Sequence, residues 1–290
     1  MAKDKKRKVK KGGFAEIAFR FSRSKTAMIG FVLLVLIVLV AVFADLIVPY
    51  DKVLEQNSSN LMATPSKDHW FGTDPLGRDL FARVVHGSRV SIAVGLLTTI
   101  VAMVVGGLFG IIAAYYGGRV DMWIMRIVDI FTCIPGILLS ITIVATLGPN
   151  FINLVLAMVV TSIPGTIRFI RGVVMGVTEN DYVEAAKSYG ANDMRIMLKY
   201  IMPNAMGTII VDTTMTVAGC ILSASGLSYL GLGIQPPSPE WGAMLSDTKQ
   251  YLRTSPHLLI FPGLAIILTA FSINLVGDGL RDALDPKLRD

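Results

Sequence analysis

The sequence predicts an all-α polytopic membrane protein with six transmembrane helices. Hydrophobic residues make up 53% of the chain and charged ones 17%, with a mean hydropathy of +0.60, outside the soluble globular range. The apolar residues gather into runs long enough to span a bilayer. Ten of the 27 Lys and Arg residues fall within the first 25 positions, just before the first run. The net charge of +6 and pI near 9.3 thus describe a local tail, which argues against a nucleic-acid partner. Within it, KKRKVKK has the composition of a nuclear import signal, but basic residues ahead of a span are what the positive-inside rule expects. Cys133 and Cys220 both lie in apolar segments, so neither a disulfide framework nor a CxxC site is present.

Residues 1–25 form the basic tail. The first apolar run, 26–48, would reach about 35 Å as a helix, more than the roughly 30 Å hydrocarbon core. Its length and the poor cleavage site ADLIVPYD make it a retained anchor rather than a secretory signal. A loop over 49–89 follows, and then a five-helix core over 90–280, with spans at 90–116, 127–147, 151–167, 207–230 and 258–276. The turn Gly148-Pro149-Asn150 is short enough to force spans three and four into an antiparallel hairpin. Gly106 with Gly110, and Gly172 with Gly176, have the GxxxG spacing that permits close helix approach. Pro135, Pro164 and Pro262 lie in or near spans, where each removes a backbone hydrogen bond.

Six spans place both termini on one side. Arg119, Arg126, Arg168, Arg171, Lys187, Arg195, Lys199 and the tail 281–290 share that side with the N-terminal tail, which makes it cytoplasmic. The opposite connections are poor in net positive charge: 49–89 carries five basic and five acidic residues, 148–150 none, and 231–257 only Lys249 and Arg253.

Chemistry-bearing motifs are few. The sequence has no GxxxxGK[ST] phosphate loop, HExxH or GxSxG, so it is read as a non-enzyme with no cofactor or metal of its own. His69, His86 and His257 are scattered in or beside outer loops. An acid at the centre of a span costs about 2.5–3.5 kcal/mol on insertion scales. Asp45 and Asp129 lie near span ends, whereas Asp212 stands about 14 Å beyond Pro203 on a regular helix. It either faces a watery path or pairs with a polar neighbour near the interface. A proton- or sodium-coupled carrier would be expected to show more intramembrane charge and paired discontinuous helices.

One stretch interrupts the apolar pattern: DYVEAAKSYGANDMRIMLKYIMPN, residues 181–204. Thr178 and Asp181 have capping-box spacing. Tyr182, Ala185, Ala186 and Tyr189 recur on one helical face, and Gly190 suits a left-handed C-terminal cap. Asn192 or Asp193 can cap a second helix with a stripe of Met194, Met197, Leu198 and Ile201, closed by Pro203. The predicted element is a pair of short amphipathic helices over 178–203, which either lie in the headgroup layer or dock a partner.

This stretch resembles the cytoplasmic EAA loop of bacterial ABC importer permeases, with Glu184, Ala185, Ala186, Gly190 and Pro203 matching in place. Tyr200 stands where related permeases often have His, and Met202 where they usually have Leu. FGTDPLGRDLFARVVHGSRVSI, LSYLGLGIQPPSPEWGAML and GDGLRDALDPKLR are similar to further signatures of the oligopeptide, dipeptide and nickel group of these permeases. Ala224 replaces a Glu found in many of them. Asp74-Pro75 also reads as a helix start, with Leu76, Leu80 and Val84 on one face of an interfacial helix.

The resemblance implies a type I importer permease in a bacterial inner or plasma membrane. Its partners would be a second homologous permease, two cytoplasmic ATPases that bind ATP and Mg, and an extracytoplasmic solute-binding protein. Residues 184–190 would transmit ATPase motion, and the 49–89 and 231–257 loops would meet the binding protein. Di- or oligopeptides are the implied cargo, with nickel, metal chelates or another small solute as the alternative and a secondary carrier as a more distant one.

Overall fold

A computed structural model describes residues 14–284; the basic tail through residue 13 and the closing tail from 285 lie outside it. Helix α1 (Phe14–Arg23) leads to Ser24, whose Oγ accepts from Ala27 N at 3.3 Å and caps α2 (Lys25–Val42). The helix ends at Phe43, short of the expected residue 48, and the single turns α3 (Ala44–Ile47) and α4 (Asp51–Leu54) complete the run. Apolar residues surround α2, most of them exposed, as lipid-facing side chains would be. Its contact is made by small residues. A Cβ on Gly30 would lie 2.4 Å from Leu275 Cβ, and one on Gly279 would lie 2.2 Å from Ala27 Cβ.

Span two is α5 (Leu80–Tyr116), 37 residues or about 55 Å long, so it extends beyond the hydrocarbon. It begins ten residues before the expected start because Asp79 caps it, accepting from Ala82 N at 2.9 Å. The helix start expected at Asp74-Pro75 is a turn instead. Leu76 N and Arg78 N both donate to Asp74 Oδ1, and Gly77 has φ +74°, so the chain reverses before α5 and no separate interfacial helix forms.

The third apolar run is two helices, α6 (Gly118–Thr132) and α7 (Gly136–Leu147), bent by 75° across the Pro135 break. Proline lacks the N–H that would continue the helix and clashes with the preceding turn. Counting this pair as one span gives six; the other five are single long helical segments. Asn150 caps α8 (Phe151–Thr178), while Asn153 Nδ2 donates to Leu147 O and Gly148 O, which ties the α7–α8 turn. Pro164 is tolerated and buried inside α8.

Helices α5 and α8 pack closely. A Cβ on Gly106 would lie 2.7 Å from Thr166 Cβ, and one on Gly110 would lie 3.0 Å from Ile167 O. Gly172 and Gly176 face open space, so the second GxxxG pair makes no helix contact here. Asp129 and Asp121 pair with Arg168 (2.6 Å) and Arg171 (2.5 Å), joining α6 to α8, and Asp45 pairs with Arg89 at 2.7 Å.

After α8 come α9 (Asp181–Ser188), α10 (Asp193–Ile196), a π turn (Met197–Ile201) and α11 (Met202–Leu227). A second π turn (Ser228–Leu232) ends span five. Helix α12 (Trp241–Thr248) and a short 3-10 turn (Lys249–Tyr251) precede α13 (His257–Leu284), which holds Pro262 within it. Helices α5, α8, α11 and α13 form the bundle centre. Ala224 is buried near Val94, Leu154 and Met158.

Candidate functional site

The two-helix element sits at the end of the bundle reached by α8 and α5. Thr178 is the last residue of α8, with its hydroxyl on Met175 O, and cannot cap the next helix. Asn180 occupies the cap position of α9, and its Nδ2 donates back to Gly176 O and Val177 O. At the far end Gly190 has φ +74°. Gly190 N donates to Lys187 O (2.9 Å) and Ala191 N to Ala186 O (3.1 Å), the bond pair of a Schellman cap. Asn192 Oδ1 then accepts from Arg195 N at 2.8 Å and starts the second helix.

Pro203 does not close that helix. Residues from Asp193 to Leu232 form one helical segment, because the π turn at 197–201 widens the backbone just before the proline. Met202 N donates to Met197 O, five residues back, and Asn204 Nδ2 donates to Tyr200 O at 2.6 Å. Pro203 therefore falls in the first turn of α11, where a missing N–H is tolerated. Helix α10 thus runs by continuous helical backbone into span five, while the Gly190 cap separates α9 from it.

The apolar stripes divide differently from their periodicity. Val183 and Ala186 turn inward with Ile196, Met197 and Ile201, packing on Ile170, Val174, Ala205 and Ile209. Tyr182, Glu184, Ala185, Met194 and Leu198 face outward with Tyr189, which is 91% exposed. The outward set leaves Tyr182, Tyr189, Met194 and Leu198 uncovered beside Glu184 on the side of the element away from α8.

Tyr115, which sequence reasoning missed, ties this element to span two. Its Oη donates to Asp193 Oδ1 at 2.7 Å, and Lys187 Nζ lies 5.2 Å from its ring centroid. The tyrosine is 78 residues from its hydrogen-bond partner, and no local pattern announces it.

Asp212 lies on α11, half-buried, and lines a cavity of about 370 Å³ with Asn204, Thr208, Phe169 and Arg281. It is not brought to the two-helix element: nine residues of α11, about 14 Å, separate it from Pro203. A second cavity of about 450 Å³ lies further along α11, lined by Ser140, Thr161, Ser162, Thr216 and Ser223.

At the opposite end the two long loops form one unit. Asp74 is a buried hub whose Oδ2 accepts from Arg78 Nε at 2.6 Å, with Arg83 Nε 3.6 Å away. Asp79 also holds His69 Nδ1 at 2.8 Å. From the later loop, Trp241 Nε1 donates to Val84 O at 2.9 Å, and Arg83 reaches Pro237 O at 3.5 Å. Glu240, 2% exposed, caps α12 by accepting from Gly242 N and Ala243 N, and it also accepts from Ser91 Oγ at 3.2 Å. Burial raises its carboxyl pKa, while the backbone donors pull it back.

Long apolar helices around polar-lined cavities, with an uncovered helix pair at one end, are the architecture of a multi-pass membrane protein. Residues 106–290 match the family described as "Binding-protein-dependent transport system inner membrane component", and residues 14–65 match "N-terminal TM domain of oligopeptide transport permease C". The chain is 45% identical over 270 residues to the Glutathione transport system permease protein GsiD of Escherichia coli O157:H7, covering 93% of this chain and 89% of that one. It is 42% identical to the Dipeptide transport system permease protein DppC of Alkalihalophilus pseudofirmus, covering 93% and 88%. The solved MetNI methionine ABC transporter, in an inward-facing form, has a chain that shares the fold with TM-score 0.60 at 17% identity, over 71% of this chain and 98% of that one. This chain belongs to the binding-protein-dependent transport system inner membrane component family, the permease subunits of ABC importers.

Proposed function

We propose that this chain forms one half of the membrane path of an ATP-driven importer of small peptides. The observation that carries the reading is the uncovered patch on α9 and α10, of which α10 continues as an unbroken helix into span five. Peptide cargo is supported by the relatives, which are named for glutathione and dipeptide transport. The path is completed by a second homologous permease. Two ATPase subunits carry ATP and Mg, and this chain supplies no ATPase site of its own. Glu184, Ala185, Ala186, Gly190 and Pro203 form the coupling element: the first two meet the ATPase, Ala186 and Gly190 fix the helix pair, and Pro203 lies where it joins span five.

Closure of the ATPase pair around ATP favours one arrangement of the docked helices, and α11 carries that bias to the spans. Both termini and the coupling element are cytoplasmic. The knitted loops at the other end receive the extracytoplasmic solute-binding protein. Asp212 faces the solute path.

The test is reconstitution of the complex in proteoliposomes with its binding protein and radiolabelled dialanine or trialanine. ATP-dependent accumulation is expected, and its absence for every peptide tried rejects peptide import. Orientation is read by cysteine labelling in a background lacking Cys133 and Cys220. Ser59→Cys is expected to react from outside and Ser188→Cys only from inside; the reverse pattern overturns the topology.

A further inference from the structure

We infer that the cavity between α8, α11 and α13 is a subsite for zwitterions, in which Asp212 takes a ligand ammonium and Arg281 its carboxylate. The inference rests on the peptide-import reading and adds the chemical feature of the cargo that this chain recognises.

Both charges line the same cavity of about 370 Å³, within the roughly 300–1,000 Å³ of small-molecule sites. They are held apart, since no ion pair within 4 Å involves either residue among those described. Arg281 donates to Met215 Sδ at 3.3 Å, a weak acceptor that leaves the guanidinium's capacity for a carboxylate largely unused. Helix packing fixes this spacing: a Cβ on Gly277 would lie 3.0 Å from Met215 Cγ, so α11 and α13 already meet closely one turn away.

The Asp212 carboxylate is half-buried in a spanning helix, where a charge without a direct partner is unfavourable, and the exposed Arg281 guanidinium lines the same cavity. A molecule that carries an ammonium and a carboxylate satisfies both. An amidated, acetylated or singly charged molecule satisfies one at most. In the same cavity, Asn204 commits its Nδ2 to Tyr200 O and keeps its amide oxygen free to accept from a peptide N–H. Thr208 adds a hydroxyl, and Phe169 and Leu284 close the apolar side.

The position along α11 agrees. Residues 208, 212, 216, 219 and 223 are spaced three or four apart, which places them on one helical face. The last three line the second cavity, in which no lining side chain is charged. A solute moving along this face meets hydroxyl groups first and the charge pair just before the coupling element.

The test uses the assembled complex of permeases and ATPases in nanodiscs, without nucleotide or binding protein, and measures equilibrium binding of radiolabelled dialanine and of N-acetyl-dialanine amide. Wild type is expected to bind free dialanine at least tenfold more tightly than the blocked form. Asp212→Asn and Arg281→Gln should each erase that preference, while Asp212→Glu and Arg281→Lys should keep part of it. Equal binding of the two peptides by wild type, or a preference unchanged in both neutral variants, overturns the subsite. The wild-type comparison needs no variant to fold. Failure of the peptide-import reading has a separate signature, the absence of ATP-dependent uptake by the wild-type complex with its binding protein.

Discussion

Tyr115 Oη donates to Asp193 Oδ1 at 2.7 Å, and the same ring lies under Lys187 Nζ. One side chain at the end of α5 therefore holds both helices of the coupling element, α9 through Lys187 and α10 through Asp193. The two contacts together are worth about 1–2 kcal/mol at a solvent-facing site, enough to change a two-state equilibrium by a factor of roughly 5–30. Tyr115→Phe is expected to lower ATP-dependent uptake several-fold with assembly intact, and Tyr115→Ala, which also removes the ring, to lower it further. Uptake by Tyr115→Ala at the wild-type rate would show that span two takes no part in coupling.

Glu184 and Gly190 test the coupling element directly. Glu184 projects from the open face of α9, while Gly190 holds a left-handed backbone conformation with nothing within 4 Å of the place a Cβ would take. The strain of replacing it is therefore one of backbone, about 1–2 kcal/mol for an ordinary residue. Glu184→Lys and Gly190→Trp are expected to abolish ATP-dependent uptake while membrane insertion, measured by protease protection, is unchanged. Undiminished uptake in either variant removes that residue from the coupling role.

Gly279 carries the seat of the first span. A side chain there would drive into Ala27 Cβ at 2.2 Å and Phe21 Cε2 at 3.0 Å. Gly279→Leu is expected to detach α2 from α13, lowering the yield of assembled complex severely, whereas Gly117→Ala, with nothing within 4 Å of its Cβ, introduces only local backbone strain. Equal yields of the Gly279→Leu and wild-type complexes would mean that α2 is not anchored at this contact.

Much of this architecture was legible because lipid imposes long apolar runs and glycine marks special backbone positions. The run behind α2 and the Gly190 cap both followed from such local rules. Where the reading failed, a second local feature or a distant contact decided the outcome. Pro203 reads as a helix stop, but the π turn at 197–201 absorbs it. Asp74 reads as a cap, but the helix starts after Asp79 instead, because Asp74 is bound to Arg78. Val183 replaced Tyr182 on the inward face of α9 because the position of α8, unseen in the period, selects the face that is buried. Tyr115, Arg281 and Glu240 act through partners 66 to 149 residues away, beyond the reach of periodicity.

Glu240 supplies a pH test of the outer loops. Its carboxyl is buried, and burial raises its pKa above the ordinary value of 4.5 despite donations from Gly242 N, Ala243 N and Ser91. The folded state therefore holds a proton that the unfolded chain has already released. The stabilisation is fully present below the unfolded value and is lost as pH rises through the folded one. Thermal unfolding of the wild-type complex should accordingly move to lower temperature as pH rises above the ordinary carboxylate range, by more than it does for Glu240→Gln, which cannot titrate. Glu240→Ala, which leaves the two N–H groups and the Ser91 hydroxyl without their acceptor, is expected to lose about 2–4 kcal/mol at either pH. Identical pH slopes for wild type and Glu240→Gln would place the titrating group elsewhere, and Asp247, whose carboxyl pKa burial also raises against the pull of Arg83 and Arg78, is the alternative in this region.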